Sequence, residues 1–375
     1  MNNKSIRMFN NIKNIFNHTI IPFKLEKDDI KINKLEKEVK DLNNKLFSIY
    51  SLNNFSNKEK IKISDYEQHL INPPDCVFTS TSLDKPYFAA GGIGLYVYKI
   101  KEKEDKKHTI TLVSKNKNLK FNIIRMIYLN NKKLILGGTQ GIYLIKFNKD
   151  FNSYDIIFHK NENNEINDII KINDNYFLSL ENSKSIIKWV INKEENNINK
   201  LHDLNNFKFI YNICDINNKY FVYQNEEFIY IINHKTFKEH LKIKYYCQNH
   251  ENGINKLTNN IFGSISYYSR QIDFFNVETG QKLFEIRGSG ANELFRGFLR
   301  SKRSKEEIEI ITLNEHLAYM PSYGYCSDYK LSANKGEIIS KISDQWSDHI
   351  RHIFEMDDNT ILVANQEKLY VLFYP

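Results

Sequence analysis

Two stretches of the sequence decide the fold class: FAAGGIGLYVYKI at residues 88–100 and LILGGTQGIYLIKF at residues 134–147. Each reads as an apolar strand, a Gly-Gly turn, a further Gly and a second strand that alternates apolar and polar residues. Because the same hairpin occurs twice at a spacing typical of repeat proteins, the chain is expected to be built from repeated antiparallel units.

Aligning later segments on the second strand of this hairpin gives one equivalent position in each repeat. These positions are separated by 47, 44, 43, 43, 54 and 43 residues. They are Tyr98, Ile145, Trp189, Ile232, Phe275, Tyr329 and Leu372. A spacing near 43 residues is typical of the four-stranded blades of a β-propeller, and the spacing of 54 predicts one insertion. The sequence therefore predicts an all-β, seven-bladed β-propeller.

The segment HENGINKLTNNIFGSISYYSRQIDFFNVETGQKLFEI, residues 250–286, resembles a WD40 repeat. His250 stands where such repeats carry a histidine, whereas Phe275 and Asn276 replace the usual Trp-Asp pair. His159 and Trp189 echo the pattern in another repeat. The resemblance covers residues 60–375 and implies the propeller fold more strongly than any function. It also implies that the usual His, Asp and Trp hydrogen-bond network is absent.

The last repeat provides only three strands before the C-terminal KLYVLFYP, so its fourth strand must come from elsewhere. Residues 59–66, EKIKISDY, alternate apolar and polar side chains and are predicted to close the ring from the N-terminal side. Closure would remove two exposed sheet edges. The predicted domains are a helical extension at residues 1–58 and the propeller at residues 59–375.

The extension contains apolar residues at alternating steps of three and four, the spacing of a coiled-coil seam. They are Ile32, Leu35, Val39, Leu42, Leu46 and Ile49. This pattern predicts either a short coiled coil, and hence a homo-oligomer, or a helix packed on the propeller. The first 24 residues contain four basic residues and no acidic one, which fits a basic helix or a mitochondrial presequence.

Composition narrows the functional classes. The chain is 41% hydrophobic, which provides for a buried core. Its net charge of +8 is too small to indicate nucleic-acid binding by itself, and a nucleic-acid partner is not expected. The four cysteines form no C-x-x-C pair, so neither a zinc site nor a disulfide framework is signalled. No run of 18 apolar residues predicts a membrane span. A reducing, cytoplasmic compartment is expected.

No catalytic motif is present: the sequence contains no G-x-S-x-G, H-E-x-x-H or Walker A loop. We therefore expect no enzymatic activity, no cofactor and no metal site. Tyr267, Tyr268 and Arg270 fall in the connection between the second and third strands of the fifth blade, where propellers commonly bind peptides. Aromatic and arginine side chains are typical hot-spot residues. The alternative is that these side chains are buried against a neighbouring blade.

A basic cluster follows in the blade with the insertion. It comprises Arg287, Arg296, Arg300, Lys302, Arg303 and Lys305. The segment FEIRGSG is similar to the Phe-Arg-Arg-Gly motif of phosphoinositide-binding propellers, but Ile286 replaces the first arginine. The cluster is interpreted either as a site for membrane phosphoinositides or as a solvated charged hairpin.

The sequence thus predicts a non-enzymatic scaffold that binds other proteins or peptides through its propeller loops. Its N-terminal helix would serve oligomerisation or docking, and the combination resembles coiled-coil WD40 adaptors. Recruitment to membranes through Arg287 and the following basic residues is the alternative.

Overall fold

The structure, a computed structural model, describes residues 67–373 apart from short gaps. The gaps are residues 74, 104–106, 117–118, 120, 161–163, 193–196, 206, 208, 247–252, 267–269, 288–292, 302–307, 317–322, 332–335, 342–349, 358–359 and 366–367. The predicted helical extension at residues 1–58, its seam from Ile32 to Ile49 and the predicted closing segment 59–66 lie outside the described residues.

The described residues contain 28 β-strands, arranged in seven four-stranded antiparallel sheets. The first blade has β2 Val77–Ser82, β3 Tyr87–Gly92, β4 Leu95–Glu102 and β5 His108–Asn116. The second has β6 Ile123–Tyr128, β7 Lys133–Gly138, β8 Gly141–Phe147 and β9 Tyr154–Lys160. The third has β10 Ile166–Lys171, β11 Tyr176–Glu181, β12 Ser185–Asn192 and β13 Asn197–Leu204. The fourth has β14 Asn212–Asp215, β15 Tyr220–Gln224, β16 Phe228–Asn233 and β17 Glu239–Lys244.

The remaining sheets follow the same order. The fifth blade has β18 Ile254–Lys256, β19 Ile261–Ile265, β20 Gln271–Asn276 and β21 Lys282–Arg287. The sixth has β22 Glu293–Arg300, β23 Glu309–His316, β24 Tyr323–Leu331 and β25 Gly336–Lys341. The last has β26 Ile350–Asp357, β27 Thr360–Asn365 and β28 Leu369–Phe373, and its outer strand is β1 Glu67–Ile71.

The sheets close into a ring. Each innermost strand packs against the innermost strand of the next sheet, and β2 packs against β26 to complete the circle. The apolar clusters lie between neighbouring sheets, so each sheet is covered on both faces: one cluster joins Ala89 and Val97 of the first blade to Leu134 and Tyr143 of the second. The all-β propeller class predicted from the sequence is confirmed.

Burial explains why the strands differ in composition. The second strand of a blade is covered on both faces and reads as a continuous apolar run, as in the fully buried β15 (YFVYQ). The outer strand faces solvent on one side, so β17 (EHLKIK) alternates between exposed and half-buried residues. The hydrophobic pattern therefore changes across a blade, from a continuous apolar run in the second strand to alternation in the outer strand.

The aligned positions of the sequence repeat occupy equivalent places in the sheets. Phe88 pairs with Tyr98, Phe177 with Trp189 and Ile361 with Leu372, each pairing joining a second strand to a third strand. In six sheets the register with the outer strand shifts immediately before the aligned residue. The predicted alignment is confirmed.

Asparagine supplies many of the turns. The Oδ1 of Asn173, Asn217 and Asn233 each accepts backbone N–H groups two and three residues later. These Asx turns hold the backbone without a glycine. Glycine is required where backbones meet: a Cβ on Gly92 would lie 1.8 Å from the carbonyl oxygen of Cys76.

The last sheet is closed from the N-terminal side, but by a later segment than the sequence predicted. β1 pairs with β28 from Glu67↔Phe373 to Ile71↔Leu369, so residues 59–66 are not the closing strand. Both segments alternate, and alternation alone does not fix register. Contacts fix it here, because the Glu67 carboxylate accepts a hydrogen bond from the backbone N–H of His108, at 2.9 Å, and Ile71 packs on the core between the last and first blades.

Candidate functional site

The ring presents two faces, defined by its strand connections. The four strands of a blade are lettered A to D from the ring axis outwards. The turns after the first and third strands, A to B and C to D, lie on one face, here named the AB face. The turns after the second and fourth strands lie on the other, named the DA face. Loops on the rim of such a rigid scaffold are the usual place for binding residues.

Of the three predicted partner-binding residues, the structure describes Arg270, which belongs to the DA face. The connection between β19 and β20 spans residues 266–270, as the sequence predicted. Arg270 is exposed, whereas Tyr267 and Tyr268 lie outside the described residues. The peptide-binding role of these three residues stays a prediction.

Two aromatic residues that sequence reasoning missed are exposed on the same face. Phe209, in the connection from β13 to β14, is 44% exposed, and Tyr246, in the connection from β17 to β18, is 57% exposed. Phe209 makes an edge contact with the Tyr211 ring, at 5.4 Å between centroids. Their signal was the aromatic runs FKFIY and KYY at strand ends, which read equally well as core.

Two arginines of the basic cluster hydrogen-bond to other groups of the protein. The Arg287 Nε donates to Glu285 at 2.5 Å, and the Arg300 Nη1 donates to the carbonyl of Leu257 in the preceding blade at 3.0 Å. Arg296 is half-buried on β22. Lys302, Arg303 and Lys305 lie outside the described residues. Arg287 and Arg300 therefore contact oxygen atoms of the protein itself.

The third blade contains a hydrogen-bond chain around its tryptophan. The buried Trp189 Nε1 donates to the Ser179 Oγ at 2.7 Å, and that hydroxyl donates to Glu181 at 3.2 Å. Asn164 donates to the same carboxylate, so a Trp-Ser-Glu-Asn chain is present in this blade. The resemblance implied that the usual His, Asp and Trp network is absent, and Trp189 belongs here to a chain whose other members are Ser179, Glu181 and Asn164.

Two polar pairs lie between innermost strands. The Arg125 Nε lies 3.2 Å from the Asp168 Oδ1, joining the second blade to the third. Burial raises the pKa of Asp168, and Arg125 opposes that rise. His352, on β26, lies 3.5 Å from the Ser80 hydroxyl of the first blade. Burial, and then the charge of Arg125, lower the pKa of His352 to about 3, so this imidazole is neutral in the folded protein at neutral pH.

A polar cavity of about 590 Å³ opens on the AB face across the third, fourth and fifth blades. Its polar lining includes Asn173, Lys188, Asp215, Asn217, His234 and Lys256. The Asx turns place Asn173 and Asn217 at equivalent positions of two successive blades. The cavity is thus built by repetition, and no single segment of the sequence marks it.

Two lysine ammonium groups and one carboxylate line the cavity, so the charge that it offers to a ligand is mainly positive. Its one carboxylate, Asp215, is held by the His234 Nε2 at 2.7 Å. The Lys188 Nζ donates to the His234 carbonyl at 2.9 Å, and burial lowers the pKa of Lys188. The Lys256 ammonium makes no ion pair or hydrogen bond with the described residues. The buried Nδ1 of His234 also has no hydrogen-bond partner there.

Neither a membrane helix nor a metal cluster occurs in the described part of the chain. No helix there is long and apolar enough to cross a bilayer. No group of three or more His, Cys, Asp or Glu side chains there is arranged to hold a metal ion.

Comparison with known proteins supports the fold. No protein-family model and no curated protein matches the sequence. Among solved structures, the chain is similar to the WD40 β-propeller domain of Doa1, with a TM-score of 0.59, 12% identity and coverage of 83% of this chain and 97% of that one. It is also similar to the C-terminal WD40 domain of Sif2, with a TM-score of 0.54, 13% identity and coverage of 82% and 98%. The closed ring of four-stranded sheets and these similarities show that the chain has the fold of a WD40 β-propeller.

Proposed function

We propose that this protein is a non-enzymatic interaction platform that binds a protein or peptide through its DA face. The observation that carries the proposal is the exposure of Phe209 and Tyr246 in two successive blade-to-blade connections on that face. Large aromatic side chains supply much contact area at a small cost in conformational entropy, and they dominate the binding energy of many interfaces.

Two further features support this assignment. Arg270 is exposed in the next connection of the same face, beside the predicted Tyr267 and Tyr268. WD40 propeller domains generally act as scaffolds for protein interactions. A partner that covers Phe209, Tyr246 and Arg270 would therefore combine apolar burial with a charge-assisted contact.

Affinity purification of the full-length protein, with the captured partners identified by mass spectrometry, tests this function. The double variant Phe209→Ser, Tyr246→Ser is expected to lose partners that the unchanged protein retains. The matched control is Leu112→Ser, Ile156→Ser, which removes two equally exposed apolar side chains from the outer strands β5 and β9. Loss of the same partners from both double variants, or from neither, would contradict binding through the DA face.

We further propose that the seam from Ile32 to Ile49 serves oligomerisation or docking of the platform. Leu42→Lys places a charge at a seam position, where burial without a partner is costly. Light scattering should then report a monomer in place of an oligomer. A monomeric unchanged protein would rule out self-association through this seam.

The phosphoinositide alternative is less well supported. Arg287 and Arg300 would have to exchange their contacts with Glu285 and Leu257 for a lipid phosphate. Flotation with phosphoinositide liposomes at low salt tests this alternative. Binding by the unchanged protein that Arg300→Glu and Arg303→Glu abolish would support lipid binding through the cluster, and no binding by the unchanged protein would contradict it.

A further inference from the structure

We infer that the AB-face cavity is a second binding site, which accepts the carboxylate side chains of an acidic peptide. The cavity lies on the face opposite Phe209 and Tyr246, so this inference does not depend on the proposed partner of the DA face. Its occupant is defined by the charge, the hydrogen-bonding groups and the shape of the lining.

The first argument is charge. Two ammonium groups, those of Lys188 and Lys256, line the cavity, against one carboxylate. That carboxylate, Asp215, accepts a hydrogen bond from His234 at 2.7 Å. An anionic ligand would therefore meet two cations without displacing an ion pair of either lysine, because Lys256 makes no ion pair with the described residues, and Lys188 contacts there the His234 carbonyl and the face of the Tyr176 ring.

The second argument is the unused hydrogen-bonding capacity of the Lys188 ammonium group. Lys188 is partly desolvated, and one of its three N–H groups donates a hydrogen bond to the His234 carbonyl. A carboxylate beside Lys188 would compensate the desolvation of this ammonium group, and the interaction would be stronger than at a fully hydrated lysine.

The third argument is shape, and it favours a peptide over a compact ion. The lining comes from successive first turns of neighbouring blades: Asn173 of the third, Asn217 and Asn218 of the fourth and Asn259 of the fifth. Asn218 and Asn259 are exposed at the rim, where amide groups can hydrogen-bond to a peptide backbone. The cavity volume of about 590 Å³ is far larger than one carboxylate needs and is enough for several side chains.

Isothermal titration of the full-length protein with a synthetic peptide of alternating Glu and Ser tests the inference. The same peptide with Gln in place of Glu is the ligand control. We expect the Glu peptide to bind at least about tenfold more tightly, which corresponds to one favourable charge contact, and its affinity to fall as salt is added. Equal binding of the two peptides, or no binding of the Glu peptide at low salt, would overturn the inference.

Single-residue variants test whether the Glu peptide binds in the cavity. Lys256→Gln should weaken binding of the Glu peptide by about tenfold without lowering the melting temperature, since the Lys256 ammonium makes no ion pair or hydrogen bond with the described residues. Lys256→Arg should retain binding. Lys235→Gln is the matched control, because Lys235 is exposed on the same face but does not line the cavity. Equal effects of Lys256→Gln and Lys235→Gln would show a general charge effect and contradict the site.

Discussion

At the scale of single residues, the fold depends on positions where the surrounding atoms leave no room for a larger residue. Gly91 and Gly92 are neighbours in sequence but differ in what surrounds them. A Cβ on Gly91 would meet the side chains of Ile123 and Met126 at 2.9 Å, whereas a Cβ on Gly92 would meet the backbone oxygen of Cys76 at 1.8 Å. Side chains can change rotamer, but the carbonyl belongs to the chain that enters the first blade.

The first prediction compares these two glycines. Gly92→Ala should lower the free energy of unfolding by about 3 kcal/mol or more, because the backbone itself must move. Gly91→Ala should cost about 1 kcal/mol, since Met126 is flexible enough to adjust. Urea denaturation measures both, and a smaller loss for Gly92→Ala than for Gly91→Ala would contradict the close approach.

The second prediction concerns His352. The folded protein holds the pKa of His352 at about 3, whereas an unfolded histidine titrates near 6.5. The unfolded state therefore binds an extra proton below pH 6.5, and stability falls as the pH drops. By pH 5 the loss should reach about 2 kcal/mol.

His352→Gln should remove this pH dependence between pH 6.5 and 5, whatever its effect on stability at neutral pH. His202→Gln is the control, because His202 is exposed on the outer strand β13. Denaturation curves across this pH range measure the slope. An unchanged slope in His352→Gln would contradict the lowered pKa, because it would show that this imidazole binds protons equally in the folded and unfolded states.

At the scale of elements, closure depends on the short strand β1. Glu67 lies between two histidines, with His108 Nδ1 and His69 Nε2 each 2.6 Å from a carboxylate oxygen. Burial alone would raise the pKa of Glu67, but the hydrogen bonds from His108 and His69 lower it to about 2. The His108 ring also stacks on Phe373 of β28, at 3.7 Å between centroids. One carboxylate thus links β1 to the first blade.

The third prediction follows from this carboxylate. Because its pKa is lowered on folding, Glu67 stabilises the protein above about pH 4.5, and this contribution is lost as the pH falls towards 2. Glu67→Gln should cost about 0.5–1 kcal/mol at pH 7, since the partly exposed group is screened by solvent, and nothing near pH 2. Glu239→Gln, exposed on β17, is the control. A loss in Glu67→Gln that does not change with pH would contradict the ionic role.

The sequence predicts an element well when the interactions that specify it lie within one segment, and poorly when they join residues far apart along the chain. The repeat was readable because the strands at Tyr98, Trp189 and Phe275 are each covered on both faces, so their apolar runs recur along the chain. The closing strand was misplaced because its register depends on His108, which lies 41 residues from Glu67. The cavity was missed for the same reason, since Lys188 and His234 meet only after the blades pack.

At the scale of the whole molecule, the central claim is that a closed propeller holds two binding faces in fixed positions. The faces stay fixed only while the ring is closed, because every sheet then has a neighbour on both sides. β1 contributes the outer strand of the last sheet and contacts His108 of the first blade, so it secures the junction where the chain begins and ends its circuit. Loss of this junction should loosen the entire ring.

The most direct test compares the melting temperatures of two truncated proteins, residues 67–375 and residues 72–375. The first retains β1 and is expected to melt cooperatively, close to the full-length protein. The second loses about five ladder hydrogen bonds at about 1 kcal/mol each, together with the burial of Ile71. A loss of that size approaches the whole stability of a typical domain, so the second protein should melt at least about 10 °C lower or aggregate through its exposed edge. Equal melting temperatures for the two truncated proteins would contradict closure by β1.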